Sequence, residues 1–255
     1  MLILHFLMGK IYRFFWQLGE VTLLIITAAK HACKQKIHAQ NTVEQMMAIG
    51  VKSLPITIVT AVFVGMAFSV QVVREFLKFG AVKMIGGVVG LAMWRELGPL
   101  LTAVVLAGRV GAAITAEIGT MKVTEQVEAL EAMSQDPIDY LVIPRIIACT
   151  VMMPLLVGVA DIAGFFGGLL VALGSQRINI YAYFYSAQTM LTVHDIMGGL
   201  IKAVLFGFSI GVISCYMGLH ATAGAKGVGE ITTKSVVVSL VSIFIFNYFL
   251  SLALY

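Results

Sequence analysis

Four charged residues, Arg95, Glu96, Asp161 and Lys202, interrupt stretches of sequence that are otherwise almost wholly apolar. Inside a hydrocarbon layer such a charge costs about 2.5–3.5 kcal/mol on insertion scales, so it normally faces a bundle interior or a water-filled cavity. Glu96 and Lys202 have opposite signs and could pair across a cavity with Arg95 beside them. The plainer alternative is a buried structural ion pair with no ligand. Seven of the thirteen Asp and Glu residues fall between Glu96 and Asp139, and the six from Glu117 onward form a second, acidic cluster outside the apolar runs. From Lys122 to Met133 helix formers dominate. Val123, Val127 and Leu130 make an apolar stripe there, and Glu125, Glu128 and Glu131 share another face. This pattern predicts a short amphipathic helix in water beside the membrane, able to meet a soluble partner; a merely solvated connecting helix is the bland reading.

The elements that must position these groups are membrane helices. Of 255 residues, 60% are hydrophobic and 12% charged, about half the charge of a soluble domain. Several apolar runs reach the roughly 20 residues that a helix needs to cross a bilayer, and each span must satisfy its own backbone hydrogen bonds. The expected architecture is all-α: an amphipathic segment over 1–45, lying in the membrane interface, then a membrane-spanning domain over 46–255. Its five spans run over about 54–73, 84–107, 146–173, 196–219 and 235–255. In the first segment Lys10, Arg13, Gln17 and Glu20, then Thr27, His31, Lys34 and His38, keep to one helical face, with Leu24 the one break. A first transmembrane helix is the alternative, disfavoured by those spaced charges. Pro55 suits the opening turn of the first span, and Gly98-Pro99 predicts a kink or break in the second. Gly174–Asp195, with its interfacial tyrosines 181, 183 and 185, and the Gly-rich stretch Gly224–Glu230 are expected to be loops.

Five spans put the termini on opposite faces. With the N-terminus inside, eleven Lys and Arg residues lie on the cytoplasmic side and four, Arg74, Lys78, Lys83 and Arg177, outside. The bias favours N-in, C-out and makes the acidic stretch cytoplasmic. The net charge of +4 then reflects that bias and not a nucleic-acid surface.

Other motifs carry less. Cys33, Cys149 and Cys215 have no metal-ligand spacing and read as small buried hydrophobes. Glycines four apart, Gly86/Gly90, Gly164/Gly168 and Gly207/Gly211, permit close helix contact. Gly207-Phe208-Ser209-Ile210-Gly211 matches the hydrolase pattern G-x-S-x-G but lacks its strand-turn-helix setting. No phosphate-binding G-x-x-x-x-G-K-[ST] loop is present, so the chain is expected to be no enzyme and to bind no cofactor. Any ATP would be bound and hydrolysed by a partner.

Arg95-Glu96-Leu97-Gly98-Pro99-Leu100-Leu101-Thr102-Ala103, then Ala107-Gly108-Arg109-Val110-Gly111, Ala116 to Gln126, Ala129-Leu130, Asp136-Pro137 and Pro144-Arg145 together strongly resemble the MlaE/YrbE family of ABC-transporter permeases. The likeness runs from about Gly50 to Tyr255 and is densest from Trp94 to Arg145. It implies a permease that moves phospholipids or related lipids between envelope membranes. The implied partners are a second copy of the chain, a cytoplasmic ATPase pair and an MCE-domain lipid-binding protein on the other face. The implied location is the inner membrane of a double-membraned bacterium or, alternatively, a chloroplast inner envelope. It also implies that Arg95, Glu96 and Lys202 lie by an outward-facing lipid cavity. The segment matching Ala116–Met133, with Glu117, Lys122, Thr124, Glu125, Gln126 and Glu128, is implied to couple to the ATPase. Phe63, Phe68 and Val72 on the first span are expected to hold acyl chains. The competing reading from another class is an ion-coupled secondary carrier with Glu96, Asp161 and Lys202 as its relay. Five spans do not divide into the equal inverted repeats such carriers favour.

Overall fold

The computed structural model describes residues 12, 15, 16, 19–31, 39–175, 178–222 and 224–255. Expectations resting on Lys10, Arg13, Gln17, Cys33, Lys34, His38 and Arg177 lie outside them. All regular structure among the described residues is helical. Helix α1 covers residues 19–31, followed by α2 (Ala39–Ile49), a 3-10 turn (Val51–Ser53) and α3 (Leu54–Lys78). Helices α4 (Ile85–Ala92), α5 (Gly98–Leu106) and α6 (Ala112–Val123) form one rod joined by π-helical turns at Met93–Leu97 and Ala107–Gly111. Then come α7 (Gln126–Ala132), a π turn (Ile138–Val142), α8 (Ile143–Gly174), α9 (Ile180–Met190), α10 (Val193–Leu219) and α11 (Gly224–Leu254). Five stretches are long and apolar enough to cross a membrane: Ala39–Lys78, Val82–Val123, Ile138–Gly174, Val193–Leu219 and Gly224–Leu254.

Small residues set the helix contacts, because in lipid close packing replaces the hydrophobic drive. A Cβ on Gly65 of α3 would stand 2.0 Å from the Gly164 carbonyl of α8, and one on Gly207 of α10 would stand 2.5 Å from the Cys149 carbonyl. Hydroxyls reinforce the seams. Ser69 donates to the Gly168 carbonyl (2.9 Å), and Thr115 sits between the Ser214 carbonyl (3.1 Å) and Ser235 Oγ (2.8 Å). One core gathers Leu106, Val110, Ile114, Met153, Phe206 and Ile210 with the buried free thiols of Cys149 and Cys215. A second gathers Val72, Val89, Met93, Phe165 and Tyr183. Val21, Leu24 and Ile25 of α1 pack against the first core, so the break in the polar stripe at Leu24 belongs to the face that meets the bundle.

The expected interruption at Gly98-Pro99 is a π turn, Met93–Leu97, just before the glycine. The structure departs from the expected elements at three places. The stretch Gly174–Asp195 is not all loop. Asn179 caps α9 by accepting from the Tyr181 amide (3.2 Å), and Tyr183 is buried, donating to the Phe165 carbonyl (3.1 Å). The glycines from 224 to 230 belong to the first turns of α11, where helical neighbours outweigh their poor propensity. Finally, 122–133 is not one helix. Thr124 bonds back to the Thr120 carbonyl (2.9 Å), Glu125 adopts φ 58°, and α6 ends there before α7 begins.

Candidate functional site

The central cluster follows from one proline. Pro99 has no N–H, so the carbonyl four residues earlier, that of Arg95, loses its ordinary helical donor. Lys202 of α10 supplies one: its ammonium donates to the Arg95 carbonyl (2.8 Å), to Glu96 Oε1 (2.7 Å) and to Ser251 Oγ (2.8 Å). An ammonium has three protons, and here all three are used. Glu96 is held from α11 as well, by Asn247 Nδ2 on Oε2 (2.9 Å) and by Ser251 Oγ at 2.7 Å from Oε1. Three helical stretches are thus locked around a π turn, a distortion common at functional sites.

Arg95 reaches Asp195 in the first turn of α10, with Nε at 2.7 Å and Nη2 at 2.6 Å from Oδ1. The other oxygen, Oδ2, accepts from the amide and hydroxyl of Thr192, each at 2.8 Å, completing a capping box. Tyr255 closes the cluster. Its ring centroid lies 4.5 Å from Arg95 Cζ and 5.0 Å from Lys202 Nζ, and its hydroxyl donates to the Asp195 carbonyl (3.2 Å).

The two ion pairs share an asymmetry. The Lys202 and Asp195 side chains are 0% and 1% exposed, whereas those of their partners, Glu96 and Arg95, are 38% and 39% exposed. Two neighbouring residues of opposite charge therefore show a face outward, each anchored by a buried counter-charge.

At the α7 end of the bundle the polar groups are arranged differently. Glu125, Gln126 and Glu128 are exposed, with Val127 alone buried in α7. Lys122 pairs with Glu128 across the Thr124–Glu125 turn, a contact that holds the Glu128 carboxyl below the usual carboxylate range. Glu117, exposed, meets buried Arg145 at 3.2 Å, and Arg145 also donates to the Leu141 carbonyl (2.9 Å). Arg109 donates to Ser53. The Tyr140 carbonyl, to which Pro144 has no N–H to donate, accepts from Asn41 of α2 (2.9 Å). Helix α1 lies at this same end. Glu20 accepts from the Tyr216 hydroxyl (2.6 Å) and the Trp16 indole (2.7 Å), and the Tyr216 hydroxyl first, then the indole, hold its carboxyl below the usual range. A cavity of about 270 Å³ opens beside Glu20 between Trp16, Tyr216, His220 and Lys234.

Of the residues singled out from the sequence, Arg95, Glu96 and Lys202 meet. Asp161 does not join them: it is buried, its Oδ1 has no hydrogen-bond partner, and that oxygen fills the space a Cβ on Gly98 would need. Phe63 is exposed, Phe68 is half-buried and Val72 belongs to the second core. Sequence reasoning missed Asp195, Asn247, Ser251 and Tyr255. Two signals could have found them: the Thr192-x-x-Asp195 capping pattern, and the four-residue spacing of 247, 251 and 255, which puts them on one face of the last span.

Comparison with known proteins agrees with this architecture. The family model for "Permease MlaE" matches residues 42–253. A probable ABC transporter permease protein of Synechocystis is 50% identical over 221 residues, covering 87% of this chain and 84% of its own. A probable ABC transporter permease protein of Rickettsia typhi is 43% identical over 246 residues, 96% of this chain and 95% of its own. The chloroplastic protein TRIGALACTOSYLDIACYLGLYCEROL 1 of Arabidopsis thaliana is 43% identical over 239 residues, 94% of this chain and 68% of its own.

Proposed function

The chain belongs to the MlaE permease family, and on that premise we propose that it is the membrane subunit of a lipid transporter driven by a separate ATPase pair. It is a multi-pass membrane protein of the ABC-permease class. The lipid is inferred from one observation, the outward-showing pair Arg95 and Glu96 over their buried anchors. A guanidinium is a natural bidentate partner for a phosphate, and a carboxylate beside it can meet a headgroup amine. Lys202 has no free proton left for a headgroup, so its role in this reading is to hold Glu96 and the π turn. The apolar wall is supplied by exposed Phe63 and half-buried Phe68, while Val72 supports it from the core. The Arabidopsis relative, whose name is that of a galactolipid, supports lipid as the cargo class.

The turn between α6 and α7, with exposed Glu125, Gln126 and Glu128, is the surface we assign to the ATPase. This follows the N-in orientation that the positive-charge bias favours. A second copy is assigned to the outward face of α11, where Val237, Val241, Phe244 and Tyr248 are exposed. An MCE-domain protein is assigned to the end bearing α9 and the C-terminus. The test is to purify the chain with its ATPase in mild detergent and measure retained phospholipid by mass spectrometry. Arg95→Ala should lower retained phospholipid per chain while the ATPase still co-purifies. Equal lipid in wild type and variant would remove Arg95 from the lipid site.

A further inference from the structure

Opposite the lipid-facing cluster, three potential metal ligands from distant parts of the chain converge. Nδ1 of His31, at the end of α1, lies 2.9 Å from Asp139 Oδ1 and 3.5 Å from Asp136 Oδ2. All three ligand atoms lie within 4.8 Å of one another. His31 and Asp139 are 108 residues apart in sequence. We infer that His31, Asp136 and Asp139 form a binding site for a divalent transition-metal ion of the Zn²⁺ or Mn²⁺ class, which clasps α1 to the segment following α7.

Spacing is the first argument. Ligands about 2.1 Å from one ion, at angles between octahedral and tetrahedral, stand roughly 3.0–3.4 Å apart. The two separations at Nδ1 bracket that range, so small side-chain shifts admit an ion between atoms that now meet directly. Charge is the second. Two carboxylates face one imidazole, which offers at most a single positive charge, and among the described residues no lysine or arginine pairs with either aspartate. A divalent ion supplies the missing positive charge. Support of the ligands is the third. Asp136 Oδ1 accepts from the Ile138 amide (2.8 Å), which leaves Oδ2 turned toward the imidazole. Asp139 is 11% exposed, and the adjoining Tyr140 carbonyl is held by Asn41. One imidazole and two carboxylates suit borderline metals better than Mg²⁺. Coordination requires Nδ1 without a hydrogen, so the bound imidazole is neutral and carries its one hydrogen on Nε2. Water completes the coordination.

The experiment uses the full chain in lipid nanodiscs, stripped of metal with chelator and titrated with Zn²⁺ against a chromophoric competitor. A Cys33→Ser background keeps thiol-bound zinc out of the count. One zinc per chain is expected, with affinity at least about tenfold weaker in His31→Ala and in Asp139→Asn. Zn²⁺ should raise the melting temperature of the background protein and of neither variant, and Co²⁺ should give a visible ligand-field band that both variants lose. Melting without metal establishes that the variants fold. Failure of Zn²⁺ to bind stoichiometrically, or equal binding by both folded variants, would overturn the site.

Discussion

The two ends of the bundle handle charge in opposite ways. Near the C-terminus, Lys202 and Asp195 are sealed from solvent and spend their donors and acceptors on Arg95, Glu96, Ser251 and Thr192. Around α7, Glu125 and Glu128 stand in the open, and Lys122 meets Glu128 at the surface. The physical setting explains the contrast. In hydrocarbon a charge without partners is expensive, so each exposed group needs a buried anchor. In water a surface pair adds little to stability, and its charges are free to meet another protein. Loss of a buried anchor should therefore damage the fold, and loss of a surface charge should damage only an association.

Lys202→Met should give the largest effect. It takes the counter-charge from Glu96 and leaves the Arg95 carbonyl without the Lys202 donor; breaking a fully buried pair costs about 3–5 kcal/mol, and the partial exposure of Glu96 puts this loss toward the lower end of that range. Protein abundance in the membrane should fall steeply. The double variant Lys202→Met/Glu96→Gln should recover much of it, because no unpaired charge remains; a double variant no better than the single one would show that the pair is not what Lys202 supports.

Ser251→Ala should come next. It removes a hydroxyl that accepts from Lys202 and donates toward Glu96, costing about 1–3 kcal/mol by leaving a buried donor short. The drop in thermal stability, read from fluorescence-detected size exclusion after heating, should be smaller than for Lys202→Met.

The α7 end should behave otherwise. Glu125→Lys with Glu128→Lys should leave melting unchanged and weaken ATPase co-purification by about tenfold or more, since like-charge juxtaposition at a contact can cost several kcal/mol. Glu125→Gly sharpens this, because the φ of 58° suits glycine: the turn should survive, so any loss of ATPase reports the charge and not the shape. The smallest effect is a titration. The Glu128 carboxyl, hydrogen-bonded first of all by Lys122, should titrate below the ordinary glutamate value of about 4.3 in a carbon-13 NMR experiment. The pair's small contribution is then present at neutral pH and fades as pH falls through that lowered value, and Lys122→Ala should restore the ordinary midpoint.

How much of this was legible in the sequence depends on where each signal lives. Arg95, Glu96 and Lys202 stood out because a charge in an apolar run has few explanations. Their mutual contact was legible as a possibility, but the fit of Lys202 to three acceptors was not. That fit depends on Pro99 freeing the Arg95 carbonyl and on α11 bringing Asn247 and Ser251 alongside. Asp195 was hidden because it sits at a helix start, where an acidic residue already has a local reason to be. α9 was hidden because its tyrosines suggested an interface, whereas Tyr183 is packed beneath Phe165. The break at Glu125 was hidden because Glu is a good helix former, and only tertiary context sets its left-handed backbone. The glycine pairs, by contrast, said plainly that helices would touch, and Gly207 against Cys149 shows why a side chain there has no room.

The central claim is that Arg95 and Glu96 handle lipid while Lys202 and Asp195 hold them in place. The most direct measurement is ATP-driven phospholipid transfer between vesicles by the reconstituted complex, expressed per folded chain, for Arg95→Ala and Glu96→Gln beside Lys202→Met/Glu96→Gln. Each single variant leaves a buried counter-charge, Asp195 or Lys202, without its partner and should lower abundance, but the chains that fold should still bind the ATPase and transfer lipid about tenfold or more slowly, a loss of roughly 1.4 kcal/mol in the transfer step. The double variant should transfer no faster than Glu96→Gln alone. Wild-type transfer per folded chain by both single variants would contradict the account.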